Sequence, residues 1–343
     1  MLKDIKELSL EELEQVLKGW GVPVFHARQV FSWIYQKGAR DFSSMSNLPL
    51  ELRGLLKEKF SLFELEVKEV LTSRDGTQKY LFLLPDKNGI EAVSIPAKDR
   101  LTGCVSSQVG CRFSCKFCAS GMAGFKKNLT CGQIAEEVLA LKNACAAQKL
   151  THLVFMGIGE PLDNYDNVLK AIRLINSPDA FNIGARRITI STCGMIPGIK
   201  RLEKEGLQIE LSISLHAADN KTRSALMPVN KIYPLEELMA VCREYIRNTN
   251  RQITFEYVLI RNLNSDLQSA VKLSKMLQGL KSKVNLIPCN HIPALGLEPP
   301  GKLDVLFFRD RLLKAGIHTT LRAPRGEDIN SACGQLRLQY EKK

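Results

Sequence analysis

Three cysteines fall within eight residues of this chain, Cys111-Arg112-Phe113-Ser114-Cys115-Lys116-Phe117-Cys118, in a CxxxCxxC spacing. Thiolate is a soft ligand that suits zinc or iron–sulfur centres, and so short a loop can bring its sulfurs to one centre whatever the remainder of the fold does. The missing fourth ligand carries the information. A structural zinc site is closed by four protein ligands, whereas a 4Fe–4S cluster held by three cysteines keeps one iron open to bind and activate a small molecule. On spacing alone, a zinc knuckle completed by a distant Cys or His is the alternative.

The chain has ten cysteines in all. Met1 to Glu7 carry charge where a signal peptide requires an apolar stretch, and no run of about 18 apolar residues occurs. The expectation is a cytoplasmic protein without membrane association. Thiols stay reduced there, so clustered cysteines serve metal binding or catalysis rather than a disulfide framework; Cys131, Cys145 and Cys242 sit in helical patterns and read as packing residues. With 343 residues and 45% apolar content the chain can bury one large domain with an appendage, or two domains, and nothing demands more than a monomer. A net charge of +12 points to a polyanionic partner, although basicity alone does not tell nucleic acid from other polyanions.

Residues 1–62 read as a small helical accessory domain. Ser9-Leu10-Glu11-Glu12 is a capping box, and helical patterns run over His26 to Lys37 and Pro49 to Phe60. Residues 63–100 switch to period two, with strands at Gln78 to Leu84 and Ile90 to Ile95 around Pro85-Asp86-Lys87-Asn88-Gly89, whose Asn-Gly pair is expected to supply positive φ. Glu91 shares a face with Val93 and Ile95. It is either a buried carboxylate with a raised pKa, suited to carrying a proton, or a solvated one beside a turn.

From residue 101 to 343 strand and helix alternate. Strand patterns at Leu101 to Val109, His152 to Met156, Arg187 to Thr192, Ile209 to Leu215, Ile253 to Ile260, Val284 to Pro288 and His318 to Arg322 are separated by helical ones, the first opened by the capping box Thr130-Cys131-Gly132-Gln133. Repeated βα units imply an α/β fold, a parallel sheet closing into a partial (βα) barrel, with chemistry on the loops after the strands. The unusual residues sit on those loops. Gly157 and Gly159 permit close backbone approach to a ligand, and Glu160 is placed to meet a cation. Ser191, Ser214 and Asn290 offer neutral hydrogen bonds. His216 is either a ligand contact or a satisfied strand-end histidine, and Cys333, a thiol in a polar C-terminal loop, is by itself a small buried hydrophobe as readily as a nucleophile.

The CxxxCxxC spacing resembles that of the radical S-adenosylmethionine superfamily. Cys104-Val105-Ser106-Ser107-Gln108-Val109-Gly110-Cys111, Met156 to Asn164 with its Gly-Glu-Pro-Leu-Asp-Asn string, Ser214-Leu215-His216-Ala217, Val284 to Pro288 and Asp328 to Leu336 together resemble the RlmN family of dual-specificity RNA methyltransferases, across nearly the whole chain. The resemblance implies methylation of C2 of an adenosine in the 23S rRNA peptidyl-transferase centre, and of an adenosine beside the anticodon in certain tRNAs. It implies a 4Fe–4S cluster on Cys111, Cys115 and Cys118, two S-adenosylmethionines per turnover and an electron donor such as flavodoxin. In the family, Cys333 is methylated first, its methylene radical adds to the ring, and the resulting protein–RNA bond is resolved by Cys104 through a transient Cys104–Cys333 disulfide, with Glu91 as proton acceptor. The same transfer assigns Gly159, Glu160, Ser191, Ser214, Leu215, His216 and Asn290 to S-adenosylmethionine. A radical suits the chemistry, because adenine C2 is electron-poor and no nucleophile. One departure is Cys193, where many relatives carry serine.

Two other readings stand beside this one. The sister enzyme that methylates C8 of the same rRNA adenosine uses the same cysteines, but it often departs from the Gly-Glu-Pro-Leu-Asp-Asn string kept here. A non-catalytic, metal-stabilised RNA-binding protein explains the charge and CxxxCxxC while leaving Cys104, Cys333 and that string without a role.

Overall fold

The computed structural model describes residues 2–122, 124–145, 148–290, 296–322, 325–331 and 335–336. The elements follow in chain order. The N-terminal region holds β1 (Lys3–Asp4), α1 (Leu10–Gly19), α2 (Phe25–Phe31), running into a π-helical turn at Ser32–Gln36, α3 (Leu50–Lys59) and β2 (Phe60–Ser61), which pairs in parallel with β1. The capping box of α1 forms as expected, Ser9 and Glu12 each satisfying the other's backbone N–H.

An antiparallel run follows: β3 (Glu66–Thr72), β4 (Gln78–Leu83) and β5 (Gly89–Ala97), which pairs with β6 (Arg100–Cys104). The turn between β4 and β5 differs from expectation. Positive φ falls on Lys87, at 64°, because Leu84 and Asn88 close the ladder and Asp86 accepts from Asn88 N–H, so the left-handed residue comes before the Asn-Gly pair.

The remaining elements are β7 (Gln108–Gly110), α4 (Ala119–Met122), β8 (Phe125–Asn128), α5 (Cys131–Ala144), β9 (Leu150–Phe155), α6 (Tyr165–Asn176), β10 (Ile188–Thr192), α7 (Ile196–Leu202), β11 (Glu210–Ser214), α8 (Asn220–Leu226), α9 (Leu235–Thr249), β12 (Ile253–Leu259), α10 (Leu267–Leu277), β13 (Ser282–Pro288), α11 (Lys302–Lys314) and β14 (His318–Leu321). One ten-stranded sheet runs β14-β13-β12-β11-β10-β9-β6-β5-β4-β3, parallel from β14 to β6 and antiparallel beyond. It is a partial barrel. The strand expected over Leu101 to Val109 is broken: β6 ends at Cys104, and β7 leaves to pair with β8, so the cysteine loop hangs between two short strands.

Side chains divide cleanly between the two faces. Leu153, Phe155, Ile190, Leu211, Ile213, Phe255 and Leu286 are buried on the side that meets the helices, in one apolar cluster that also takes in the N-terminal helices. The opposite face lines the lumen with Thr102, His152, Thr189, Ser212, Thr254 and Asn285. A polar lumen is where a ligand goes, since a packed barrel core would be aliphatic. The open side of the barrel is crossed by the C-terminal segment, which returns from β14 to the antiparallel extension: Asp75 accepts from Gly326 N–H at 3.2 Å, Asp328 takes the hydroxyl of Ser73, and Lys79 reaches the carbonyl of Asn330 at 3.3 Å.

Candidate active site

The loops at the C-terminal ends of the parallel strands enclose a cavity of about 150 Å3. Its wall includes Cys111, Cys115 and Cys118 with Phe113 and Phe117, then Gly159 and Glu160 after β9, Ser191 on β10, and Ser214 and His216 at the end of β11. Leu215 and Asn290 are buried but do not line it; the Leu215 carbonyl accepts from Arg223.

The Gly-Ile-Gly-Glu string is fixed by the strand beside it. A Cβ at Gly157 would stand 2.6 Å from the Val105 carbonyl, and Gly159, at φ +106°, would press one against Gln108 at 2.6 Å. These glycines therefore pack closely on residues 105–108, and both also line the cavity. The rest of the string anchors the cysteine loop. Asp163 takes Nε of Arg112 and Nε2 of Gln108, both at 2.7 Å, and the Asn164 amide donates to the carbonyls of Ser107 and Leu129.

Glu160 is buried, and burial pushes its carboxyl up from the ordinary range, while hydrogen bonds from the backbone N–H groups of Cys193, at 2.7 Å, and Leu162, at 3.1 Å, pull it back. His216 is in the left-handed region at φ 55°, buried, and edge-on to Phe117 with ring centroids 4.5 Å apart. Its Nδ1 accepts from Val258 N–H at 3.0 Å. Burial first, then the Arg223 charge, drives its pKa down to about 3, so the ring is neutral and carries its proton on Nε2, a fixed donor.

Arg223 was not singled out in the sequence. It sits on α8, fully buried, and straps the strand ends: Nη2 donates to the Cys193 carbonyl at 2.7 Å, Nε to that of Leu215 at 3.2 Å and Nη1 to Asn230 at 2.9 Å. The Asp219 cap, which accepts from Thr222 N–H, was the available signal for its seven-residue helix.

Glu91 and Cys104 lie on the lumen face of adjacent strands. Val93 is the register partner of both Lys79 and Cys104, and Glu91 is two residues along, 3.4 Å from Lys79 Nζ. Glu91 is 3% exposed, which excludes the solvated alternative. Cys333 lies outside the described residues.

Burial raises the thiol of Cys111 to about 12 and that of Cys115 further, and the neighbouring cysteines and Glu160 add to the effect. Thiols as reluctant to ionise as Cys111 and Cys115 require a cationic centre to become thiolates, and no three His, Cys, Asp or Glu among the described residues close on a single metal ion. The donor set fits a cluster held by three cysteines.

The comparisons with known proteins agree with this geometry. The Radical SAM superfamily model matches residues 105–273, and the model of the ribosomal RNA large subunit methyltransferase N-terminal domain matches residues 3–62. A probable dual-specificity RNA methyltransferase RlmN of Caldanaerobacter subterraneus subsp. tengcongensis is 45% identical over 341 residues, 99% of each chain. The chain belongs to the RlmN family. A dual-specificity RNA methyltransferase RlmN of Nitratiruptor sp. is 43% identical over 98% of both chains. The crystal structure of a radical SAM methyltransferase from Sphaerobacter thermophilus is similar at a TM-score of 0.94 with 43% identity, covering 98% of this chain and 99% of that one. Membership of RlmN carries with it radical S-adenosylmethionine chemistry and a 4Fe–4S cluster, and the cavity is lined by Cys111, Cys115, Cys118 and Cys193. No helix among the described residues is long and apolar enough to cross a membrane.

Proposed function

We propose that this chain methylates C2 of an adenosine in the 23S rRNA peptidyl-transferase centre and of an adenosine beside the anticodon in certain tRNAs. The observation that carries the reading is the enclosure of three cysteines and the Gly159-Glu160 turn in one cavity, in a chain 45% identical along 99% of its length to an RlmN protein. When bound, the cluster and two S-adenosylmethionines per turnover supply the methyl group and the one-electron chemistry that an electron-poor carbon needs.

The chain's own residues then divide the work. Glu160, held by two backbone N–H groups, presents its carboxylate to the α-ammonium of S-adenosylmethionine, while Ser191, Ser214, the Leu215 backbone, His216 Nε2–H and Asn290 take its neutral and anionic groups. Cys333 carries the methyl group to the RNA, Glu91 accepts the C2 proton, and Cys104 attacks the Cys333 sulfur, forming an S–S bond as the bond from that sulfur to the methylene carbon breaks and its electron pair takes up a proton to complete the methyl group. Placement supports this: Glu91 and Cys104 share the lumen face, and Lys79, which pairs with Glu91, also holds the Asn330 carbonyl three residues before Cys333. The disulfide left between Cys104 and Cys333 needs a reducing compartment to reset it, which fits a cytoplasmic enzyme, and we infer a monomer served by a one-electron donor such as flavodoxin.

Expression of the chain in a host lacking its own C2 enzyme, followed by mass spectrometry of nucleosides from 23S rRNA and tRNA, tests the reading. 2-Methyladenosine in both RNAs is the expected result. 8-Methyladenosine would assign the chain to the sister activity, and neither product from a cluster-loaded protein would refute the RNA target.

A further inference from the structure

The lumen below the cofactor cavity is a concavity of about 450 Å3 that opens at the N-terminal ends of the strands. It shares Met156, Glu256 and Arg322 with the cofactor cavity, so the two meet in the middle of the barrel. The cysteine loop covers the C-terminal end, and the segment from Arg325 to Ser331 crosses the open side, leaving the N-terminal mouth as a broad opening among the described residues.

The mouth is basic. Arg100, Arg187 and Lys283 line it, and none of them lies within ion-pair distance of a described carboxylate, although the Lys283 charge reaches the buried Glu256; Glu210, on the same rim, is already taken by Arg251. The field is felt nearby, since burial and the charges of Arg100 and Arg187 lower the pKa of His152. Unpaired cations around a low-dielectric well concentrate positive potential in it. Arg186 and Arg187 also line a second concavity of about 440 Å3, with Asn176, Gly184 and Gln208, outside the barrel. The basic track therefore continues past the lip, which suits a polymer better than a small free anion. Deeper in, the wall changes to neutral hydroxyl and amide groups, Thr189, Ser212, Thr254 and Asn285, beside the buried Glu256, whose Oε1 accepts from the Asn285 amide at 3.0 Å. Such groups read the edge of a base turned out of its stack, and the cavity lies within the size range of small-ligand pockets, about 300–1,000 Å3.

We propose that the target nucleotide enters the lumen through this N-terminal mouth, with Arg100, Arg187 and Lys283 holding the phosphates of the RNA on either side of it. The proposal rests on the RNA-methyltransferase reading and adds the route by which substrate reaches the cofactor: cofactor from the C-terminal end of the strands, RNA from the N-terminal end.

The test is fluorescence anisotropy of the cluster-loaded protein with a short RNA hairpin carrying the target adenosine in its loop, titrated across salt concentrations. Arg100→Ala, Arg187→Ala and Lys283→Ala should each weaken binding and flatten the log–log salt dependence by about one unit, and the triple variant by about three. Arg243→Ala and Lys275→Ala, exposed on the outer helices, should change neither. S-adenosylmethionine affinity, measured separately, should stay at the parent value in all five single variants. Parent protein that binds no hairpin would sink the RNA reading itself. Parent-like salt slopes in the lumen variants of a protein that does bind would overturn only the route. Loss of inorganic pyrophosphate binding with hairpin affinity unchanged would make the mouth a small-anion site and overturn it too.

Discussion

His216 gives a prediction whose size follows from one residue. Its folded-state pKa is about 3, lowered by burial and then by Arg223, against about 6.5 in an unfolded chain. A base whose pKa falls on folding is protonated more readily in the unfolded state. Its contribution to stability is therefore fully present above about pH 6.5 and is lost as pH falls towards 3. Within that window each pH unit costs about 1.4 kcal/mol, so lowering the pH from 7.5 to 5.0 should remove about 2 kcal/mol through this group alone. Buried acids with raised pKa, Glu137 and Glu256 among them, act in the opposite sense and would mask it in the parent protein. His216→Gln separates the two: its side-chain carbonyl can still accept from Val258 N–H, and it does not titrate. Urea denaturation of both proteins at several pH values should show the stability difference, parent minus variant, falling by about 2 kcal/mol between pH 7.5 and 5.0. A difference that stays constant with pH would show that His216 is not held neutral, and the assignment of its Nε2–H as a fixed donor would go with it.

Two other substitutions probe the scaffold of the site. Arg223→Met leaves the Cys193 carbonyl and Asn230 Oδ1 without their donor and should destabilise the protein by about 3 kcal/mol, at about 1–3 kcal/mol for each orphaned buried group less the relief of a desolvated charge; chemical denaturation checks it, and Arg223→Lys should recover part of the loss. Gly159→Ala forces a side chain into φ +106° and against Gln108, and should cost at least about 1–3 kcal/mol while weakening S-adenosylmethionine binding in an equilibrium dialysis assay.

Much of this site is legible in the sequence because its motifs are contiguous. CxxxCxxC and the Gly-Glu-Pro-Leu-Asp-Asn string are loops after predicted strands, and period-two and βα patterns place them at one end of a barrel. What could not be read was the reason for each residue within a string. Asp163 and Asn164 hold the cysteine loop, and Gly157 and Gly159 pack on the strand beside them, which depends on β7 leaving the sheet. Arg223 was hidden for a different reason. A charged residue in a short polar helix reads as surface, and its burial is decided by carbonyls just beyond the ends of β10 and β11, 8 to 30 positions away in sequence. The polar lumen was equally hidden, because alternation along a parallel strand shows which residues share a face but not whether that face is filled.

The departure at Cys193 can be settled by the same geometry. Its backbone links three elements: the N–H donates to Glu160 at 2.7 Å and the carbonyl accepts from Arg223 at 2.7 Å, so the loop after β10 is gripped from the β9 loop on one side and from α8 on the other. Both contacts are made by backbone atoms that any residue supplies. The side chain is buried in a small cluster with Leu226, Met227 and Ile287, and its thiol is raised well above the ordinary range by burial and by Glu160, so it is a neutral S–H beside a carboxylate. A serine hydroxyl can make the same donation with little change in volume. Cys193→Ser should therefore change stability by less than about 1 kcal/mol and leave S-adenosylmethionine affinity within about twofold of the parent. A tenfold loss of affinity would mean that the thiol itself contacts the cofactor, and the backbone account of this position would fail.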